Sequence, residues 1–235
     1  MRIATTMSQE ADLKQLWKKP DGYFQQDRVE MLGYIPKTAK RILDVGCGEG
    51  TFSARIRETN HAEVWGIEID EQVAGSAKEK LDRVDIGDAS HVLSALPDSH
   101  FDCVVFNDIL EHLPDPYQLL VQTISKLTPM GIIVCSVPNV RYYTVLYRFL
   151  IEKNWRYSDS GVMDKTHLRF FTFISLKVAL QQAGYETMTI EGINPTRYWG
   201  AHLLRFGTLG WLGDCIYPQI ACVARPYIPQ QNILV

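Results

Sequence analysis

The chain has 235 residues, enough for one α/β domain with a sizeable core and too few for two large ones. A formal charge of −3 argues against nucleic-acid binding through overall charge, which leaves a local basic patch as the remaining route. The five cysteines, Cys47, Cys103, Cys135, Cys215 and Cys222, form no C-x-x-C pair and read as buried thiols of a reducing cytoplasm, with no secretion signal and no apolar run of about 18 residues to span a membrane.

Taken in chain order, residues 8–19 place Leu13, Leu16 and Trp17 at helical spacing and stop at Pro20-Asp-Gly22, which predicts an amphipathic helix over a sheet edge. With a second helix from about Asp27 to Ile35, they form an expected helical cap over residues 8–36. A strand at 41–45 then runs into Asp44-Val-Gly-Cys-Gly-Glu-Gly50, followed by a helix from Thr51 to about 59. Strand–glycines–helix is the context in which bare backbone approaches a ligand above the carboxyl ends of a parallel sheet. The spacing is not the G-x-G-x-x-G of a dinucleotide phosphate loop, so a nicotinamide-dependent dehydrogenase is remote.

Alternation continues with a strand at 63–69, a helix at 71–81, a strand at 83–87, a short helix near 90–95 and a strand at 101–106. A helix from Tyr117 to Leu127 and a fifth strand, Gly131 to Val137, follow. Thr172 to Gly184 reads as a last amphipathic helix holding Leu176, Val178 and Leu180 inside, and Glu186–Glu191 with Gln219–Arg225 reads as an antiparallel pair. The predicted fold is therefore α/β: a doubly wound, mostly parallel, seven-stranded sheet with helices on both faces and an antiparallel last strand.

Three words in order, LDVGCGEG, GIEID and GDA, resemble those of class I S-adenosylmethionine-dependent methyltransferases. The resemblance implies a cofactor site. In it, Asp44, Gly46, Cys47, Gly48 and Gly50 pass under the methionine end, and Glu68 and Ile69 meet the ribose. Asp88 and Ala89 meet the adenine, while Asn107 lies where the methionine portion ends. It also implies a leading segment folded over the cofactor, in which Tyr23 is either a cover or, with Phe24, a core aromatic.

Two motifs carry candidates for the chemistry. In Asn107-Asp-Ile-Leu-Glu-His112 the spacing i, i+3, i+4 puts Asp108, Glu111 and His112 on one face of a helical turn, and His167 follows in Asp164-Lys-Thr-His-Leu-Arg-Phe-Phe-Thr172. A hydroxyl acceptor must lose its proton, which calls for a base or a metal. His112 and His167 are the candidate catalytic bases, and Asp108, Glu111, His112 and His167 the candidate ligands of a divalent cation. The motif resembles the E-x-x-E-H of ubiquinone-pathway O-methyltransferases and of small-RNA 2′-O-methyltransferases, which use a divalent metal, with Asp108 in place of the first Glu. Purely structural roles for these residues stay open.

Residues 138–171 do not reduce to the sheet pattern and read as an insertion covering the substrate: a helix from Val140 to Ile151, then a loop from Asn154 to Lys165. Between Arg141 and Phe170, six basic residues face three acidic ones. With its aromatics, this segment suits an acceptor bearing phosphate, a sugar ring or both. Its HLRFFT word resembles bacterial small-molecule and glycan-modifying O-methyltransferases. The expected acceptor is thus a hydroxyl on a polar small molecule or glycan precursor; an RNA 2′-hydroxyl competes, disfavoured by the acidic chain. A non-catalytic methyltransferase-fold subunit is the rival from another class. Tyr198 to Gly213, rich in large apolar residues, reads as core packing or a homodimer surface, with an interfacial membrane contact as the alternative.

Overall fold

The computed structural model describes residues 27–227. The expected helix at 8–19 and the Tyr23–Phe24 pair lie outside the described residues. The chain enters through a 3-10 helix, Val29–Tyr34, in place of the predicted helix from Asp27 to Ile35.

The elements alternate as the hydrophobic runs dictate: β1 Arg41–Val45, α1 Thr51–Asn60, β2 Glu63–Glu68, α2 Glu71–Lys78, β3 Arg83–Ile86, α3 Ala89–Ala95 and β4 Phe101–Asn107. They continue with α4 Pro116–Lys126, β5 Leu127–Pro138, α5 Tyr143–Leu150, α6 Phe173–Gln182, β6 Tyr185–Ile193, α7 Trp199–Gly207 and β7 Gln219–Pro226. One seven-stranded sheet results, in the order β3-β2-β1-β4-β5-β7-β6. Strands β1 to β5 pair in parallel, and β7 runs antiparallel between β5 and β6.

Because side chains alternate across a strand, the central strands feed two cores. Leu43, Val45, Val104 and Phe106 meet α3, α4 and α6 through Leu93, Leu119, Leu120, Leu176 and Leu180. On the other face, Ile42, Cys103 and Val105 meet α1 through Phe52 and Ile56 and the 3-10 helix through Met31. In α6, Leu176 and Leu180 are buried as expected, but Val178 is exposed. Two residues from either leucine, it lies on the opposite side of the helix. All five cysteines are buried free thiols.

Between β5 and α6, Asn139 bridges Phe171 and closes the base of the predicted insertion. Its helix is shorter than expected: Tyr142 stands in extended backbone ahead of α5. Between β6 and β7, the predicted core packing of Tyr198–Gly213 is not what forms. Ala201 is buried, whereas Trp199, Leu203, Phe206, Leu209 and Trp211 are exposed. The reason is geometric: residues 199, 203 and 206 share one helix face, and it is the opposite face, at Ala201, that packs beside Cys215 and Ile216.

Candidate active site

Strand order reverses between β1 and β4, and a doubly wound sheet opens its ligand crevice at the carboxyl ends of strands flanking such a point. The glycine loop after β1 lies there. Gly46 and Cys47 donate their N–H groups to the Ile67 carbonyl at 2.8 and 3.1 Å, tying the loop to the end of β2. Gly46 and Gly50 have φ of +78° and +76°. A Cβ at Gly50 would stand 3.1 Å from the Cα of Ala77 in α2, so glycine is required there for both reasons.

Four polar side chains stand at the carboxyl ends of β1 to β4, which border this crevice. Asp44 is buried and accepts a bond from the Ser53 hydroxyl at the start of α1 through Oδ2, while its buried Oδ1 has no hydrogen-bond partner. Burial pushes its pKa up to about 6; the Ser53 bond opposes this and the Glu68 charge adds to it. Glu68 accepts from the Gly48 N–H at 2.9 Å, and from the N–H groups of Ile69 and Asp70 at 2.8 and 3.0 Å. Asn107 ends β4 with a buried Nδ2 that likewise has no hydrogen-bond partner. Asp88 caps α3, accepting from Ser90 and His91 through Oδ1 alone, and Ala89 opens that helix. Ile69 is exposed at the tip of β2. The Cys47 thiol, by contrast, turns into the core and packs over Gly66, where burial and the Asp44 charge raise its pKa. The thiol also donates to the Gly48 carbonyl of the loop at 3.7 Å.

One unpaired buried acceptor, Asp44 Oδ1, and one unpaired buried donor, Asn107 Nδ2, at the ends of adjacent parallel strands fit a ligand carrying both an ammonium and a carboxylate, since each left alone is costly.

Beyond β4 the backbone turns sharply. Asp108 takes φ +50°, and a 3-10 turn, Leu110–His112, follows. This breaks the single helical face expected for Asp108, Glu111 and His112. The Asp108 carboxylate is instead engaged by Arg28, Ser136 and Gln219, away from the others. His167 takes its place beside Glu111 and His112. One ligand atom from each of Glu111, His112 and His167 lies within 4.8 Å of the other two, and Glu111 Oε1 stands 4.0 Å from His167 Nε2.

The segment carrying His167 is held by the N–H groups of Leu168 and Arg169, which both donate to the Glu111 carbonyl, at 2.8 and 3.0 Å. His112 Nδ1 lies 3.2 Å from the Thr166 carbonyl, and His167 Nδ1 lies 3.1 Å from the Val162 carbonyl. A carbonyl only accepts, so each Nδ1 carries a proton, and in a neutral imidazole that places the lone pair on Nε2. Thr166 Oγ1 also lies 3.2 Å from His112 Nδ1, and it bonds Asp164 at 2.7 Å. Two imidazoles oriented by their far nitrogens, beside a buried carboxylate, form an arrangement suited to a divalent cation or to proton transfer. The sequence reading missed Arg28, Ser53 and Thr166. Nothing local marks Arg28, which meets Asp108 across 80 positions; Thr166 stood next to a chosen histidine.

A family model described as "Methyltransferase domain" matches residues 16–190. The ubiquinone biosynthesis O-methyltransferase of Psychrobacter arcticus is 30% identical over 190 residues, covering 76% of this chain and 72% of that protein. The 27-O-demethylrifamycin SV methyltransferase of Amycolatopsis mediterranei is 31% identical over 108 residues, covering 43% and 40%. In fold, a crystal structure of a SAM-dependent methyltransferase from Archaeoglobus fulgidus superposes with a TM-score of 0.67 at 24% identity, covering 87% of this chain and 96% of that one.

Proposed function

The chain belongs to the S-adenosylmethionine-dependent methyltransferases, and from that premise we propose that it methylates a hydroxyl oxygen on a ring-bearing polar small molecule or glycan precursor, at a site formed by Glu111, His112 and His167. The cofactor supplies a sulfonium-activated methyl group. Asp44 Oδ1 and Asn107 Nδ2 suit its ammonium and carboxylate, Glu68 its ribose hydroxyls, and Asp88 and Ala89 its adenine. Gly46, Gly48 and Gly50 give the close backbone approach.

The observation that carries the acceptor reading is the carboxylate–imidazole–imidazole cluster. An acceptor hydroxyl is a poor nucleophile until its proton is drawn away. A divalent cation held by Glu111 and the two Nε2 atoms would polarise that oxygen; such a set is chemically suited to it. The Thr166 and Val162 carbonyls orient the two rings through Nδ1, so that neutral imidazoles would offer Nε2 to the cation. A cation-free reading has its own support: Glu111 beside His167 Nε2 makes an oriented base that accepts the hydroxyl proton. The ring preference rests on aromatics leading away from His167, with Phe170 at 6.4 Å between centroids and Trp155 a further 5.7 Å on. The HLRFFT word and the O-methyltransferase relatives support oxygen as the atom modified.

Calorimetric titration of chelator-stripped protein with Mg²⁺, Mn²⁺ and Zn²⁺ separates the readings. One cation bound per chain, lost in His167→Ala and Glu111→Gln while cofactor affinity stays within about twofold, is the expected result. Absence of cation binding in an active wild type would leave the Glu111–His167 base. Turnover in His167→Ala should fall by about 10² or more, the usual contribution of a positioned acid–base group.

A further inference from the structure

We propose that α7, the turn that follows it and the outer face of α5 form a docking surface for an anionic phospholipid bilayer. This goes beyond the methyl-transfer reading and does not depend on it. Helix α7 is amphipathic in the wrong sense for a soluble helix. Trp199, Leu203 and Phe206, at i, i+4 and i+7, are 69, 56 and 74% exposed, while the small Ala201 faces inward. The turn beyond extends the face with Leu209, 99% exposed, and Trp211, 75% exposed. Alongside, α5 packs Leu146 and Tyr143 against the same small cluster, and Tyr143 stacks on Tyr198. Its Tyr147 and Leu150, and Ile151 just after it, are left exposed.

Charge selects the occupant. Residues 141–170 and 194–217 together carry eight basic and four acidic side chains, so these two segments are +4 and the rest of the chain is −7. Two of the acids are paired, Asp159 with Lys165 and Asp214 with Arg141, whereas Arg148, Lys153, Arg156 and Arg197 are exposed. Large exposed aromatics and leucines in segments that also carry exposed lysine and arginine are the composition of an interfacial membrane contact, and anionic headgroups complement the charge. A second copy of the chain fits less well. In a two-fold interface the same patch meets itself, setting these basic groups against each other. The surface is also placed to serve the site: α5 and α7 both spring from the carboxyl edge of the sheet, where Pro138 pairs with Gln219 and Gln219 with Ile193. A peripheral mode is required, since among the described residues no helix is long and apolar enough to cross a membrane.

The test is co-sedimentation of the full chain with phosphatidylcholine vesicles, with and without 30 mol% phosphatidylglycerol. Tryptophan quenching by brominated lipid is the second readout. Expected are binding at least tenfold tighter to the anionic vesicles, weakening as salt rises, and quenching that disappears in a Trp199→Phe, Trp211→Phe variant. Leu203→Ser with Phe206→Ser should reduce binding at least tenfold, with melting temperature and cofactor affinity unchanged. The wild-type quenching result needs no variant to fold. Absence of vesicle binding and quenching would overturn the proposal. So would a concentration-dependent dimer, seen by light scattering, that these substitutions dissolve while vesicle binding is unaffected.

Discussion

Asp44 illustrates how a single residue can be costly to the fold and suited to the proposed site. Its carboxyl is buried with one unpaired oxygen, and its pKa is pushed up to about 6. The folded state therefore holds a proton that the unfolded chain has released between about pH 4 and 6, so stability falls as pH rises through that window and is level above it. The shift corresponds to a ceiling of about 3 kcal/mol. Asp44→Asn should melt a few degrees higher at neutral pH, with its advantage over wild type growing between pH 4 and 6, and should bind cofactor at least tenfold more weakly; calorimetry and denaturant titration across pH read both. Cofactor affinity in the wild type should drop below about pH 6, because protonation removes the charge that meets an ammonium. Glu68→Ala should also lose about tenfold or more in cofactor affinity, the scale of a lost bond to a charged group. Unchanged affinity would remove Glu68 from the site.

Elements set where these residues stand, and two substitutions test that. Gly50→Ala adds a Cβ in a left-handed conformation against Ala77, and should cost about 1–3 kcal/mol and disturb cofactor binding together. Thr172→Ala removes the reciprocal cap with Ser175 at the start of α6. It should cost about 1 kcal/mol by chemical denaturation, with no change in cofactor affinity. The strands and helices of the sheet were legible from residues 41 to 137 because each is a short apolar run closed by glycine, proline or a capping side chain. The turn after β4 was not. Spacing alone placed Asp108 with Glu111 and His112, but the left-handed backbone at Asp108 and its capture by Arg28 depend on a partner far away in sequence. Tyr198–Gly213 misled for a similar reason: apolar content says how much surface wants burial, and only the packing of Ala201 shows which face receives it. His167 was legible as a residue, whereas its place beside Glu111 rests on two backbone bonds to the Glu111 carbonyl.

At the scale of the whole molecule, the sheet gathers its chemistry on one edge. The glycine loop, Glu68, Asn107 and the Glu111–His112–His167 cluster all follow the carboxyl ends of parallel strands, and the segments after β5 and β6 rise from that edge with a positive charge the rest of the chain lacks. On the proposed reading, donor site and acceptor chemistry lie along the same edge, which suits an in-line transfer. The proposed reaction is the transfer of a methyl group to an acceptor oxygen governed by that cluster. It is tested most directly by incubating the protein with methyl-labelled S-adenosylmethionine and cell extract, with and without chelator, then fractionating small polar molecules, glycolipids and RNA. Label is expected in a hydroxyl-bearing small-molecule or glycolipid fraction, bound as a base-stable ether and absent with His167→Ala. Label confined to RNA, or retained at full rate in His167→Ala, would contradict it.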